Sequence, residues 1–175
     1  MHPEVILRDE KPGEAGEIAE VTVSAFEAVP VSGHTEQFVI EALRTEGALR
    51  VSIVAELEAR IVGHIAFSPV AISDGTPDWY ALGPVSVLPE FQRQGIGNAL
   101  IVEGLVRVQE LGARGCCLVG HPGYYGRFGF VNPQGFGVEE VPEEVFFALP
   151  FDGHMPGGSV TFHEAFNAKG GGSAA

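Results

Sequence analysis

The chain has 175 residues, enough for one domain whose core needs no disulfide or metal to hold it. With 45% hydrophobic and 19% charged residues it reads as soluble and globular, and no apolar run approaches the ~20 residues that cross a bilayer. A formal net charge of −13 disfavours nucleic acid and anionic membranes and suits a cationic small molecule, although acidity also simply keeps proteins dispersed.

The amino-terminal sequence MHPEVILRDE has no basic start followed by an apolar core, which predicts a cytoplasmic protein. Residues 5–8 form a short strand candidate. A helix over 13–28 places Ile18, Val21, Ala25 and Phe26 on one face. A second helix follows Ser32 as N-cap, with Phe38, Ala42 and Leu43 as its apolar side and Gly47 at its end. The period then changes to two. Residues 49–57 and 60–72 are rich in Val and Ile and are separated by Glu58 and Ala59, which predicts a tight hairpin. A loop over 73–78 leads to a strand over 79–88, in which Gly83-Pro84 predicts a bulge or a break in pairing.

The run 82–100, LGPVSVLPEFQRQGIGNAL, passes from extended chain through Pro89 and Gln92-Arg93-Gln94-Gly95-Ile96-Gly97 into a helix. Backbone N–H groups at such a helix start lack carbonyl partners, the helix dipole adds positive charge, and Gly95 and Gly97 let an anion approach. Arg93 adds a formal charge. From Gly97 the helix carries the apolar stripe Gly97, Leu100, Ile101, Gly104, Leu105, Val108, Leu111 and Gly112. Gly112 and Gly115 bracket its exit into Cys116-Cys117-Leu118-Val119, so strand, helix and strand form one β-α-β unit with parallel strands. The adjacent cysteines suit neither a disulfide framework nor a zinc site and read as small apolar core residues.

Gly120-His121-Pro122-Gly123 breaks the chain, Tyr124-Tyr125-Gly126-Arg127 is at most one helical turn, and residues 128–131 restart an extended segment. Beyond Asn132 the sequence is loop-rich until a last strand near 159–164, which could pair within the domain or across a homodimer. One domain over 1–168, with its core in 4–151, and a flexible tail over 169–175 are expected.

The anion site does not match two common nucleotide folds. A dinucleotide fold would place a third glycine at Leu100 and an acid near Val119, and a triphosphate loop would need a Gly-Lys-Ser/Thr triplet that is absent. What the motifs resemble, in order, is the GNAT superfamily of acyl-CoA-dependent N-acetyltransferases. The resemblance is carried by Val85-x-Val87-x-Pro89-x-x-Gln92-Arg93-Gln94-Gly95-Ile96-Gly97, by the β-α-β frame around it, and by Tyr124-Tyr125-Gly126-Arg127-Phe128-Gly129-Phe130. It implies an α/β fold with a central, mostly antiparallel mixed sheet and a splayed parallel pair at the CoA site.

The resemblance further implies acetyl-CoA as co-substrate, no metal, and a small-molecule or peptide amine as acceptor. The CoA-binding segment would comprise Val85, Ser86 and Val87, whose backbone pairs with pantetheine, and Gln92, Arg93, Gln94, Gly95, Ile96, Gly97 and Asn98 around the pyrophosphate. Tyr125 would protonate the departing thiolate, with Tyr124 packing beside it. The carboxylate base that many members carry before the cradle is missing from Tyr80-Ala81-Leu82-Gly83. His64 and His121 are the titratable substitutes, but each reads first as an ordinary structural histidine and neither is assigned a catalytic role. The missing base also leaves open a non-catalytic CoA or acyl-CoA sensor. Phe26, Phe38, Trp79, Phe128, Phe146 and Phe147 could line an acceptor site or belong to the core.

Overall fold

Two-residue alternation over most of the middle of the chain builds a sheet, and the helices cover its two faces. The computed structural model describes residues 4–30 and 32–169. In chain order the elements are β1 (Ile6–Asp9), α1 (Ala15–Phe26), α2 (Glu36–Thr45), β2 (Val51–Leu57), β3 (Arg60–Ile72) and β4 (Trp79–Val87), followed by α3 (Ile96–Glu110), β5 (Gly115–Val119), β6 (Phe136–Gly137), β7 (Phe146–Pro150) and β8 (Gly158–Phe162). The main sheet runs β1-β2-β3-β4-β5-β7. All neighbours along it are antiparallel except β4 and β5, which pair in parallel as the β-α-β pattern predicts. A second short parallel pair joins β6 to β8.

The hairpin forms at the predicted place, and Glu58 and Ala59 both take positive φ, +51° and +64°, as a two-residue primed turn requires. Gly47 ends α2 with φ +72°, and the Ala48 and Leu49 N–H groups close back onto the Leu43 carbonyl. Ser32 is not the cap of α2. Thr35 holds that position, and the Ser32 hydroxyl instead reaches the Glu36 carboxylate, 2.7 and 2.9 Å from its two oxygens.

Two further expectations are corrected. Residues 128–131 form no strand and contribute one bridge, Val131 to Ala148. The region after Asn132 supplies β7, which pairs with the whole of β5 from Gly115↔Pro150 to Val119↔Phe146. Its short, Pro-flanked apolar run lacks alternation because Phe146, Phe147 and Ala148 are all buried. β8 pairs with β3 inside the domain, Val70↔Phe162 to Ile72↔Val160. The expected flexible tail lies, from residue 170 on, outside the described residues.

Successive strand residues face opposite sides of the sheet. A side chain at Gly63 would meet Leu100 Cδ1 at 3.1 Å and Ile96 Cγ2 at 3.3 Å, so this face carries α3. Farther along, a methyl at Gly104 would overlap the Phe67 ring, with Cζ at 2.8 Å. Glycine at both points lets the helix lie directly on β3. Ile96, Leu100, Ile101, Leu105 and Val108 fill the interface, each worth ~1.5–3 kcal/mol of burial. Leu111, expected on the stripe, is 45% exposed because the helix has already ended at Glu110.

The opposite face carries α1 and α2. His64 points there, fully buried, and its Nε2 lies 2.8 Å from Ser52 Oγ. Ser52 gives its one proton to Glu10 Oε1 at 2.6 Å, so Nε2–H must be the donor to Ser52. Glu10 in turn binds Arg44 of α2 at 2.9 and 3.0 Å. Nδ1 is buried with no hydrogen-bond partner. Desolvation holds the His64 imidazole at about 4, so it is neutral near pH 7. A second cluster joins Ile72, Trp79, Cys117, Phe136, Phe146 and Val160. Trp79 stacks edge-on against Phe136 at 5.4 Å and covers Gly115 opposite it.

Two stability predictions follow from this packing. A methyl at Gly115 would overlap the Trp79 indole, with Cη2 at 2.6 Å. Gly115→Ala is therefore expected to cost ~1–3 kcal/mol by overpacking, a fall of ~3–10 °C in Tm by thermal unfolding. An unchanged Tm would contradict the Trp79 placement. For His64, the unfolded chain takes up a proton as pH drops through 6.5 while the folded imidazole resists until about 4. The unfolded state binds more protons in that window, so stability falls with pH across it by up to ~3 kcal/mol. His64→Gln should flatten the Tm profile between pH 6.5 and 4.5, and an unaltered slope there would assign the loss elsewhere.

Candidate active site

β4 is held by β3 along its length but by β5 only from Trp79↔Gly115 to Ala81↔Cys117. Beyond Ala81 the two strands part. The cause is local to β4: Ile65 pairs with Val85 but Phe67 with Leu82, so β4 holds an extra residue at Gly83-Pro84. Pro84 has no N–H to offer, and a bulge of this kind bends its strand.

The parting leaves one edge of β4 open. The Leu88 N–H bonds the Val62 carbonyl on the β3 side, so the Val87 carbonyl, on the same peptide, points the other way. By the alternation of an antiparallel ladder, the backbone groups of Val85 and Val87 face the open edge and those of Ser86 face β3. The Gln92 side-chain amide already donates to the Val87 carbonyl at 3.0 Å. The Ser86 hydroxyl lies on the far side of the sheet, buried without a partner.

A 3-10 turn at Pro89–Phe91 carries the chain from β4 to the loop before α3. Arg93 and Gly95 both take positive φ, +64° and +85°, and the turns they make aim successive amides one way. The N–H groups of Arg93, Gln94, Gly95, Ile96, Gly97 and Asn98 have no hydrogen-bond partner among the described residues. Arg93, Gly95, Gly97 and Asn98 of this run line a cleft of ≈ 420 Å³ together with Val87, Phe91, Gln92, Tyr124 and Arg127. Two arginines and no carboxylate line it, in a chain with net charge −13. A methyl at Gly97 would touch only Val87 Cγ2, at 3.8 Å, so the fold itself does not demand glycine there. Gln94 and Ile96, expected in the CoA-binding segment, do not line the cleft: the Ile96 side chain is in the core and the Gln94 side-chain amide folds back to the Glu90 carbonyl.

The two tyrosines separate. Tyr124 lines the cleft, donates its hydroxyl to Asn98 Oδ1, and carries the Arg127 guanidinium over its ring at 4.4 Å. Tyr125 lies deeper, at the end of β5. Its ring packs on Phe130 and Phe147 at 6.1 and 6.0 Å, and a methyl at Gly120 would meet its Cδ2 at 3.2 Å. Its hydroxyl makes no hydrogen bond among the described residues, and burial raises it above the ordinary tyrosine range, so it is protonated at neutral pH. The cleft roles of Tyr124, Arg127 and Phe91 escaped the sequence reading, although all three lie within a few residues of its motifs.

On the opposite face a second cleft, ≈ 320 Å³, sits at the parting itself. Ala81, Leu82, Gly83 and Pro84 of β4 and Leu118 and Val119 of β5 form its floor. Phe26, Thr35, Glu36 and Val39 of the helical layer and Phe162 and Phe166 of the C-terminal part wall it. Neither His64 nor His121 lines either cleft. His121 is exposed, its Nδ1 2.6 Å from the Pro122 carbonyl. Of the aromatic residues expected as alternatives for the acceptor wall, Trp79, Phe146 and Phe147 are core. Cys116 and Cys117 are wholly buried and their thiols are pushed upward by desolvation. No group of three or more His, Cys, Asp or Glu among the described residues could hold a metal ion, and no helix among them is long and apolar enough to cross a membrane.

Known proteins share this arrangement. Residues 49–132 match the model of the acetyltransferase (GNAT) domain family. The uncharacterized N-acetyltransferase YhbS of Escherichia coli K12 is 31% identical over 127 residues, 72% of this chain and 73% of that protein. The uncharacterized N-acetyltransferase YjhQ of the same organism is 32% identical over 140 residues, 75% and 74% of the two chains. A crystal structure of a GNAT family acetyltransferase from Brucella melitensis in complex with acetyl-CoA superimposes with a TM-score of 0.84 at 45% identity, covering 94% of this chain and 99% of that one. The crystal structure of Escherichia coli YhbS in complex with CoA gives a TM-score of 0.85 at 27% identity, covering 95% and 94%.

Proposed function

The chain belongs to the GNAT acetyltransferase family, and on that premise we propose that it moves an acetyl group from acetyl-CoA to a primary amine by direct attack, without an acyl-enzyme. The observation that carries this reading is the open edge of β4 between the row of unpaired amides and the parting of β4 from β5. The amides of residues 93–98, at the positive end of α3, suit a pyrophosphate, with Arg93 and Arg127 adding charge. The backbone groups of Val85 and Val87 suit the amides of a pantetheine arm lying along the strand as an added strand would.

The acceptor ammonium first loses one proton to solvent; the neutral nitrogen then forms the new C–N bond at the thioester carbonyl and the C–S bond breaks. Tyr125 gives its phenolic proton to the leaving sulfur and regains one from the nitrogen, which sheds a proton on becoming an amide. A tyrosine held protonated by its surroundings suits that task. Cys116 and Cys117, buried and protonated, are unsuited to act as nucleophiles, which supports direct transfer. Tyr124 positions Asn98 at the rim of the cleft rather than taking part in proton transfer. His64, neutral and sealed beneath the helices, serves the core.

Two measurements test these assignments. With a chemistry-limited amine, Tyr125→Phe should lower kcat about 10²-fold while the KM for acetyl-CoA stays put, and Tyr124→Phe should raise that KM with kcat little changed. The opposite pattern would move the proton donor to Tyr124. Gly97→Val should leave Tm within a few degrees yet weaken CoA binding about tenfold or more by calorimetry, because the added methyls occupy ligand space and touch little of the protein. Wild-type affinity in that variant would take the phosphate away from this loop.

A further inference from the structure

The cleft at the parting of β4 and β5 carries a chemical selectivity that the open β4 edge does not. Its lining is apolar on every side but one, with Phe26, Val39, Leu82, Pro84, Leu118, Val119, Phe162 and Phe166 against a single ionisable group, Glu36. That carboxylate is not loose. Both its oxygens lie within hydrogen-bond reach of the Ser32 hydroxyl, at 2.7 and 2.9 Å, and Ser32 is itself fixed by the His34 N–H at 2.8 Å. Glu36 opens α2, whose body is anchored by Ile40 in the main core and by Val39 and Leu43 against Ala48 and Ala165, which holds the carboxylate at the wall of the cleft. The stretch of β4 below it, Tyr80-Ala81-Leu82-Gly83, has no charge of its own.

We infer that this cleft binds a primary monoamine with an apolar body, the ammonium paired to Glu36 and the body seated between the phenylalanines and the parted strands. The inference rests on the acyl-transfer reading for its purpose, since the cleft adjoins the open edge of β4 from the opposite face. The binding claim itself is independent of turnover. A half-buried carboxylate with one hydrogen-bonded side chain behind it offers a charge-assisted site for an ammonium. A second ammonium on the same ligand would be desolvated against phenylalanine and leucine with no counter-charge, which excludes polyamines. The volume, ≈ 320 Å³, is near the lower end of small-molecule sites, which fits a compact amine. The long-range charge of the chain, −13, draws in any cation, so discrimination falls to the cleft.

The test is calorimetric titration of the CoA-loaded protein with 2-phenylethylamine, 2-phenylethanol and spermidine, paired with thiol release from acetyl-CoA. The monoamine is expected to bind at least about tenfold tighter than either the alcohol, which lacks the charge, or spermidine, which carries too much. Glu36→Gln should weaken the amine about tenfold and leave the alcohol and CoA unchanged. Ser32→Ala, which frees the carboxylate without removing it, should weaken the amine by a smaller factor. Spermidine binding as tightly as the monoamine, an unchanged amine affinity in Glu36→Gln, or no binding of 2-phenylethylamine would each overturn the assignment. Binding of the monoamine without thiol release would uphold the cleft and overturn the transfer reading. Thiol release driven by spermidine alone would do the reverse.

Discussion

Everything functional in this molecule depends on the separation of two strands that begin as partners. β4 and β5 share three ladder positions and then diverge, because an extra residue and a proline without N–H are built into β4 at Gly83-Pro84. β5 is not free to follow, since β7 holds it along its whole length. One strand edge is thereby left unpaired inside a protein, a situation that sheets ordinarily avoid. Here the edge meets the amide loop at one end, and the same gap forms the floor of a second cleft on the opposite face.

The helix that closes the β-α-β unit sets the positive end of this system. α3 lies against β3 at van der Waals distance because Gly63 and Gly104 remove the side chains that would hold it off. Its first turn is thus fixed relative to the open edge, and positive φ at Arg93 and Gly95 presents a row of amides there. Peptide dipoles and two arginines concentrate positive charge here in a chain whose overall charge is strongly negative. Screening confines that long-range field to roughly 8–10 Å at physiological salt, so the two effects coexist.

The aromatic turn after β5 sends two adjacent tyrosines into different surroundings. Tyr124 faces the cleft and is tied to Asn98, whereas Tyr125 is turned inward among Phe130, Phe147 and Gly120. Such a split arises because consecutive residues in a 3-10 turn point in different directions. The chain Arg44–Glu10–Ser52–His64, by contrast, ties α2 to the sheet and ends in a wholly buried imidazole that lines neither cleft. A titratable residue in a predicted strand therefore proved to be core, held neutral by burial.

What the amino-acid sequence determined by itself was local. The hairpin at Glu58-Ala59, the break at Gly83-Pro84, the β-α-β unit, and the loop from Gln92 to Asn98 all follow from period, turn chemistry and helix-end physics acting within a few residues. Folding was needed for everything that joins distant segments. β7 has no alternation to betray it, because both its faces are covered, and its place beside β5 depends on pairings from Gly115↔Pro150 to Val119↔Phe146 that join distant parts of the chain. Ser32 looked like a helix cap because a hydroxyl before an apolar run usually is one, yet Glu36 took the hydroxyl instead. β4 carries no carboxylate at the parting, and the one that lines the cleft there, Glu36, comes from α2, far away in sequence. Side-chain direction, burial and the meeting of remote elements are properties of packing, and no spacing within one segment encodes them.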